Sequence, residues 1–301
     1  MVKWLEPQTG LVLKVQQITL ESEFQVGKLS SAGIDPGIYG GFCDPAFFIG
    51  LSIQAGIDSG ISAEGNINML TQLIQHQQVL LGERLEVSGQ ISSVEPVPRG
   101  HRISTSVVFR NDSGEAVISV HRESLKPDLN RNAERGAGQR PEPVVQDVRA
   151  LRRSTDYQLT PEATQAYSRE GNAIHYEVEA AQKAGFRAPI IGGGQGVHFL
   201  TAEVWGQGIA SLDFSIYFRR PIFWDQSLWV GVDPKLQSMA LVSGDKVLTE
   251  IKVNSPEQLN NSLARLNNSL ERLNNSLERL KNGLAFLGKL LGQRKPRPST
   301  V

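Results

Sequence analysis

The 301-residue sequence predicts an α+β fold built from two similar halves, each a long apolar helix followed by antiparallel strands. Two observations carry this. An apolar stretch at helical spacing and bounded by glycine occurs twice, at "CDPAFFIGLSIQAGIDSG" (43–60) and "GGGQGVHFLTAEVWGQG" (192–208). Each is followed by several runs of β character separated by turn residues. Such a half buries its helix against one face of its sheet. A leucine repeat after residue 255 stands apart from both.

The first helix opens on Asp44-Pro45, which reads as an N-cap with proline at the first helical position. Cys43 beside it has no histidine close in sequence and reads as a small packing residue. Four β-like runs follow: "NINMLTQLIQHQQV", "ERLEVSGQISSVEPV", "HRISTSVVFRND" and "EAVISVHRESLKP". The alternation in "RISTSVVF" and the "NDSG" turn signal predict an antiparallel meander. His76, His101 and His121 fall in these runs and read as lining or surface residues, without metal ligation. Residues 126–149, "KPDLNRNAERGAGQRPEPVVQDVR", are rich in Pro, Gly and charge and read as a solvated linker.

The second helix carries His198 one turn from its start, where it either packs or faces a substrate channel. The strands after it are "SLDFSIYFRRPIF", "QSLWVGVDPKL", "SMALVSG" and "KVLTEIKV". From Leu259 to Gln293 a seven-residue repeat places leucines in steps of four and three, the a/d stripe of a coiled coil. Ser255-Pro256-Glu257-Gln258 supplies its N-terminal cap. One such helix cannot cover its own leucines. Residues 256–291 are therefore expected to form a homo-oligomer, or to dock on the body of the protein. Residues 294–301 are a short basic tail.

Composition excludes several classes. The 31 basic and 31 acidic residues balance, against a nucleic-acid partner. One cysteine excludes a disulfide framework and a Cys-based metal cluster. There is no apolar run long enough for a membrane span, and "MVKWLEPQTG" lacks the apolar core of a signal peptide. A cytoplasmic protein is expected.

The chemistry concentrates in "SREGNAIHYEVEAAQKAGFRAPIIGGGQGVHFL" (168–200). Glu170, Asn172 and His175 place a carboxylate, an amide and an imidazole within six residues. Together they suit one water molecule. The carboxylate accepts its proton, the imidazole fixes its position or returns the proton, and the amide orients either group. The glycines ahead of the second helix let a ligand approach backbone N–H groups that the first helical turn leaves unpaired. A carbonyl there has its developing charge stabilised. Water activation with carbonyl polarisation is the equipment for hydrating an α,β-unsaturated carbonyl, or for the reverse elimination. The same residues also admit a plain reading: a core histidine, a loop carboxylate, and glycines needed for close helix–sheet packing.

"YSREGNAIHYEVEAA" resembles the hydratase motif of the MaoC-like family, the (R)-specific enoyl-CoA hydratases and 3-hydroxyacyl-thioester dehydratases. Tyr167, Ser168, Asn172, Ile174, His175 and Ala181 match its pattern. Glu170 stands where the family has Asp, Arg169 where it has Gly, and Ala173 where it has Pro. "AGFRAPIIGGG" resembles the family's approach to its central helix, where a glycine N–H polarises the thioester carbonyl; by alignment this is Gly193. "FRRPIFWDQSLWV" and "QHQQVLLGERLEVSGQI" resemble the strand pair after that helix, once in each half.

The resemblance implies a double hotdog protein over about residues 8–253. A hotdog domain at 1–125 lacks the motif, the linker is 126–149, and a second hotdog domain at 150–254 carries the motif. The heptad helix (255–293) and the tail (294–301) follow. It implies Glu170 as general base and acid, His175 positioning or protonating, Asn172 orienting, and Gly193 N–H stabilising an enolate-like oxygen. The substrate is an acyl-CoA or acyl-carrier-protein thioester, with no metal or redox cofactor. The departures leave open a second expectation: a scaffold without chemistry that binds an acyl thioester or a protein and oligomerises through its C-terminal helix.

Overall fold

The computed structural model describes residues 4–128, 141–168, 172–206 and 212–255. The heptad segment and the basic tail lie outside the described residues. So does the middle of the linker.

Ten antiparallel strands form one sheet. The first half supplies β1 (Gln16–Thr19), β2 (Ile67–Gln75), β3 (Arg84–Val97), β4 (Gly100–Arg110) and β5 (Ala116–Pro127). The second supplies β6 (Arg152–Gln158), β7 (Leu212–Phe218), β8 (Ser227–Val232), β9 (Ser238–Ser243) and β10 (Lys246–Val253). Their spatial order is β1-β3-β4-β5-β2-β7-β10-β9-β8-β6. Each expected β run became a strand. The "NDSG" turn closes β4 onto β5, with Gly114 at φ +79° and the Asn111 side chain accepting from the Ser113 and Glu115 N–H groups.

The halves join through β2 and β7, which pair antiparallel with Leu73 opposite Phe214 and Thr71 opposite Ile216. The expected pair of sheets is therefore one continuous sheet. Alternation explains the seam. Leu73, Phe214 and Ile216 are fully buried on the inner face, and any one-residue slip would turn them outward.

Two long helices lie against this inner face: α2 (Phe47–Asp58) and α5 (Gly193–Gly206). They touch each other. Phe48 of α2 and Phe199 and Leu200 of α5 are wholly buried in the same core, where Phe48 meets Phe109 of β4 edge-on at 4.9 Å. The first helix was expected at 43–60; it begins at Phe47, because residues 44–46 form a tighter turn. The Asp44 side chain accepts from the Ala46 N–H at 2.9 Å, so it caps that turn and not the helix proper.

Shorter helices escaped the sequence reading: α1 (Ser22–Ser31), α3 (Pro161–Ser168) and α4 (Val178–Lys183). Of these, α1 touches α3 across the halves. The linker is fastened at one point. Its last part is anchored: buried Glu250 accepts from the N–H groups of Val144 and Val145 at 3.1 and 2.9 Å, and Arg219 donates to the same carboxylate at 2.6 Å. Arg219 also donates to the carbonyls of Pro141 and Glu142.

Candidate active site

The first turn of α5 presents N–H groups that the helix itself leaves unpaired. Gly193 opens this turn in a tight place. A Cβ there would lie 3.0 Å from the ring of Phe218 and 3.1 Å from the side-chain amide nitrogen of Asn68. Glycine is needed for that close approach. Gly194, by contrast, faces open space. Two residues on, the Gln195 side chain is buried and neither polar end bonds to protein.

His175 sits on a single 3₁₀ turn, Ala173–His175. Asn172 caps it: its side-chain oxygen accepts from the Ile174 N–H at 3.3 Å. Asn172 thus orients the turn that carries the imidazole. His175 Nδ1 is 2.7 Å from the carbonyl oxygen of Ile190. A carbonyl only accepts, so Nδ1 carries the hydrogen and Nε2 keeps its lone pair. Nε2 faces the start of α5, 3.8 Å from where a Cβ on Gly192 would sit. Burial pushes the His175 pKa below its ordinary value, against a smaller opposing effect of the Ile190 bond. The ring is a neutral acceptor near pH 7.

The structure thus brings His175 to the glycines that precede and open α5, with Asn172 supporting it from behind. Glu170 lies outside the described residues; Ser168 and Asn172 flank its segment.

A buried polar chain joins Asp44, expected as a cap, to His198, expected either to pack or to face a substrate channel. Asp44 Oδ2 lies 2.6 Å from His198 Nδ1, and His198 Nε2 lies 2.7 Å from the Tyr167 hydroxyl. Asp44 and His198 are almost wholly inaccessible to solvent. Burial, and next the charge of Asp44, push the Tyr167 phenol well above its usual range, so it stays protonated. Lys28 donates to the Tyr167 carbonyl and lies over the Tyr167 ring at 5.4 Å. The chain ties α1, α2 and α5 to the end of α3, where the motif begins. Asp-Pro and the helical position of His198 were visible in sequence. Their pairing across 154 positions was not.

Cys43 is buried, and burial raises its thiol to about 12, which suits packing and not nucleophilic attack. His76 bonds Ser119 and His121 bonds Ser106. Among the described residues no cluster of His, Cys, Asp or Glu has the arrangement to hold a metal ion, and no helix there is long and apolar enough to cross a membrane. A wide cavity of about 430 Å³ between Glu6, His101 and Lys126 holds none of the motif residues.

No family model matches the chain, and no curated protein matches its sequence. Solved structures do match in fold. The chain is similar to HtdX from Mycobacterium tuberculosis at 14% identity and TM-score 0.62, covering 81% of this chain and 98% of that one. It is similar to a MaoC-like dehydratase from Phytophthora capsici at 14% identity and TM-score 0.61, covering 80% and 94%. A double hotdog protein from Mycobacterium tuberculosis matches at 15% identity and TM-score 0.52, covering 81% and 95%. These likenesses show the fold, a double hotdog like that of the last of these structures.

Proposed function

We propose that this protein is a hydro-lyase that reversibly adds water to a 2-enoyl thioester, giving the (R)-3-hydroxyacyl thioester. The observation that carries the reading is the position of His175: a neutral imidazole with Nε2 unprotonated, set against the N-terminal start of a buried helix. The hand of the product rests on the motif's resemblance.

The thioester carbonyl takes the N–H of Gly193 at the positive end of α5. A water molecule donates one hydrogen to His175 Nε2 and the other to the Glu170 carboxylate, which turns its lone pair toward C3. Glu170 takes the proton as the C3–O bond forms. The C2=C3 electrons move to the thioester oxygen, and the enolate-like charge meets the Gly193 N–H. Glu170 then returns the proton to C2. Elimination runs the same steps backward. The substrate is a CoA or carrier-protein thioester, and the reaction needs no redox change. Asn172 acts through the turn it caps and is a positioning residue.

The test is an absorbance assay of crotonyl-CoA and longer 2-enoyl-CoAs, following loss of the conjugated thioester. Glu170→Gln and His175→Ala are each expected to lower turnover by about 10²- to 10⁴-fold while circular dichroism stays unchanged. Turnover of none of these thioesters by the wild type would favour the second reading, a hotdog scaffold that binds acyl thioesters without reacting. The Glu170 and Arg169 departures from the family pattern are what keep that reading in play.

A further inference from the structure

Among the described residues Arg122 is a charge without a counter-charge. It lies on β5, opposite Thr71 of β2 and Thr105 of β4. Protein surrounds its guanidinium closely enough that desolvation pulls it down to about 10. Yet the residue keeps some accessible surface, because it lines a small pocket. Its hydrogen-bond partner is neutral: Nη1 donates to the side-chain oxygen of Asn68 at 2.9 Å. Among the described residues no carboxylate pairs with it, whereas the enclosed Arg219 is matched by Glu250. A guanidinium has five N–H donors and cannot shed its charge at neutral pH. Leaving a buried ion unmatched is strongly unfavourable.

The pocket beside Arg122 has polar groups from Ser52, Ser62, Asn66, Thr105 and Ser124 among apolar walls that include Ile61 and Ile103, and no acidic residue lines it. Hydroxyls and an amide can share hydrogen bonds with an anion's oxygens. Its volume of about 20 Å³ has room for about one water-sized group, enough for one oxygen of a carboxylate. The planar fork of arginine fits that group two-pronged.

Asn68 connects this pocket to the thioester site. Its oxygen takes the Arg122 bond, and its nitrogen lies 3.1 Å from the Cβ position of Gly193. The register of β2 against β5 shifts between Asn68 and Leu70, a bulge of the kind that re-aims a side chain. One amide side chain therefore separates the guanidinium from the glycine that would polarise the carbonyl.

We propose that Arg122 receives a carboxylate at the far end of the acyl group, so that the substrate is the mono-thioester of a short unsaturated dicarboxylic acid. The proposal rests on the hydro-lyase reading above and adds the substrate class to it. Arg122 makes no covalent contribution. Asn68 is held by Arg122 with its N–H₂ end toward the carbonyl site, so charge recognition and carbonyl placement are coupled.

The experiment compares the mono-CoA thioester of 2-butenedioic or 2-pentenedioic acid with the methyl-ended 2-enoyl-CoA of equal carbon number. The wild type is expected to prefer the carboxylated substrate by about 10- to 100-fold in kcat/KM. Arg122→Met should bring that ratio to about one, and Arg122→Lys, which keeps the charge and loses the fork, should give an intermediate ratio. No preference in the wild type, or a preference unchanged in both variants, overturns the proposal and leaves the hydro-lyase reading standing. Thermal shift with the saturated succinyl-CoA and butyryl-CoA provides a readout without catalysis. If no enoyl thioester turns over but succinyl-CoA stabilises the wild type more than butyryl-CoA does, and Arg122→Met loses the difference, the carboxylate site stands and the hydro-lyase reading fails. Equal shifts by the two probes in the wild type count against the site. Arg122→Lys serves as the test variant if Arg122→Met does not fold.

Discussion

At residue scale, the tautomer of His175 sets the pH behaviour. Its Nδ1–H is committed to the Ile190 carbonyl, and burial holds its pKa below the usual 6.5. The unfolded chain therefore binds the proton more readily than the native one does. This contribution to stability is present above about 6.5 and is lost as pH falls through the native value. The neutral, competent ring likewise survives below 6.5. A profile of kcat/KM against pH should show the His175 acid limb under 6.5, and a limb above that value would assign it to another group. The Asp44–His198–Tyr167 chain is the second residue-scale device. Asp44→Ala leaves His198 without its buried acceptor and should cost about 3–5 kcal/mol in urea unfolding. Tyr167→Phe removes one hydroxyl and should cost about 1–3 kcal/mol.

At the scale of elements, the glycines divide by what surrounds them. Gly89 of β3 backs directly on β4: a Cβ there would lie 2.5 Å from the Ser106 carbonyl oxygen, which is backbone and cannot swing away. Gly89→Ala should destabilise by about 1–3 kcal/mol by denaturant titration, through overpacking between paired strands. At Gly193 the crowding atoms belong to the Phe218 and Asn68 side chains. A methyl group there competes with the space in which a carbonyl would approach the helix end. Sheet packing requires the one glycine, and the close approach of α5 to side chains of β2 and β7 requires the other.

At the scale of the whole molecule, the β2–β7 pairing merges two units into one sheet and one core. Phe214 and Leu73 face each other across it, both fully buried. Phe214→Ala removes a ring from the seam and should cost about 3–5 kcal/mol. Because α2 and α5 share the core, the halves should unfold together. Unfolding curves from tryptophan fluorescence and from far-ultraviolet circular dichroism should coincide in the wild type and in Phe214→Ala. Separate transitions would show that each half stands alone. The fastening of residues 141–145 by Glu250 and Arg219 acts in the same direction, since it binds the linker to the second half.

The periodicity of apolar residues by itself determined the two long helices and eight of the ten strands, because side-chain period is a local property of the chain. The motif in 168–175 marked the candidate site for the same reason: its members lie close in sequence. Three things waited for the tertiary structure. The short β1 and β6 and the small helices carry too few apolar residues to show a period. The joining of the sheets depends on which edges meet, and the alternation of β2 and β7 says only which faces are buried. The pairing of Asp44 with His198, the bond from Arg122 to Asn68, and the placing of Asn68 beside Gly193 join residues distant in sequence. Hydrogen bonds and buried charges are settled by distance in space, and only the folded chain supplies it.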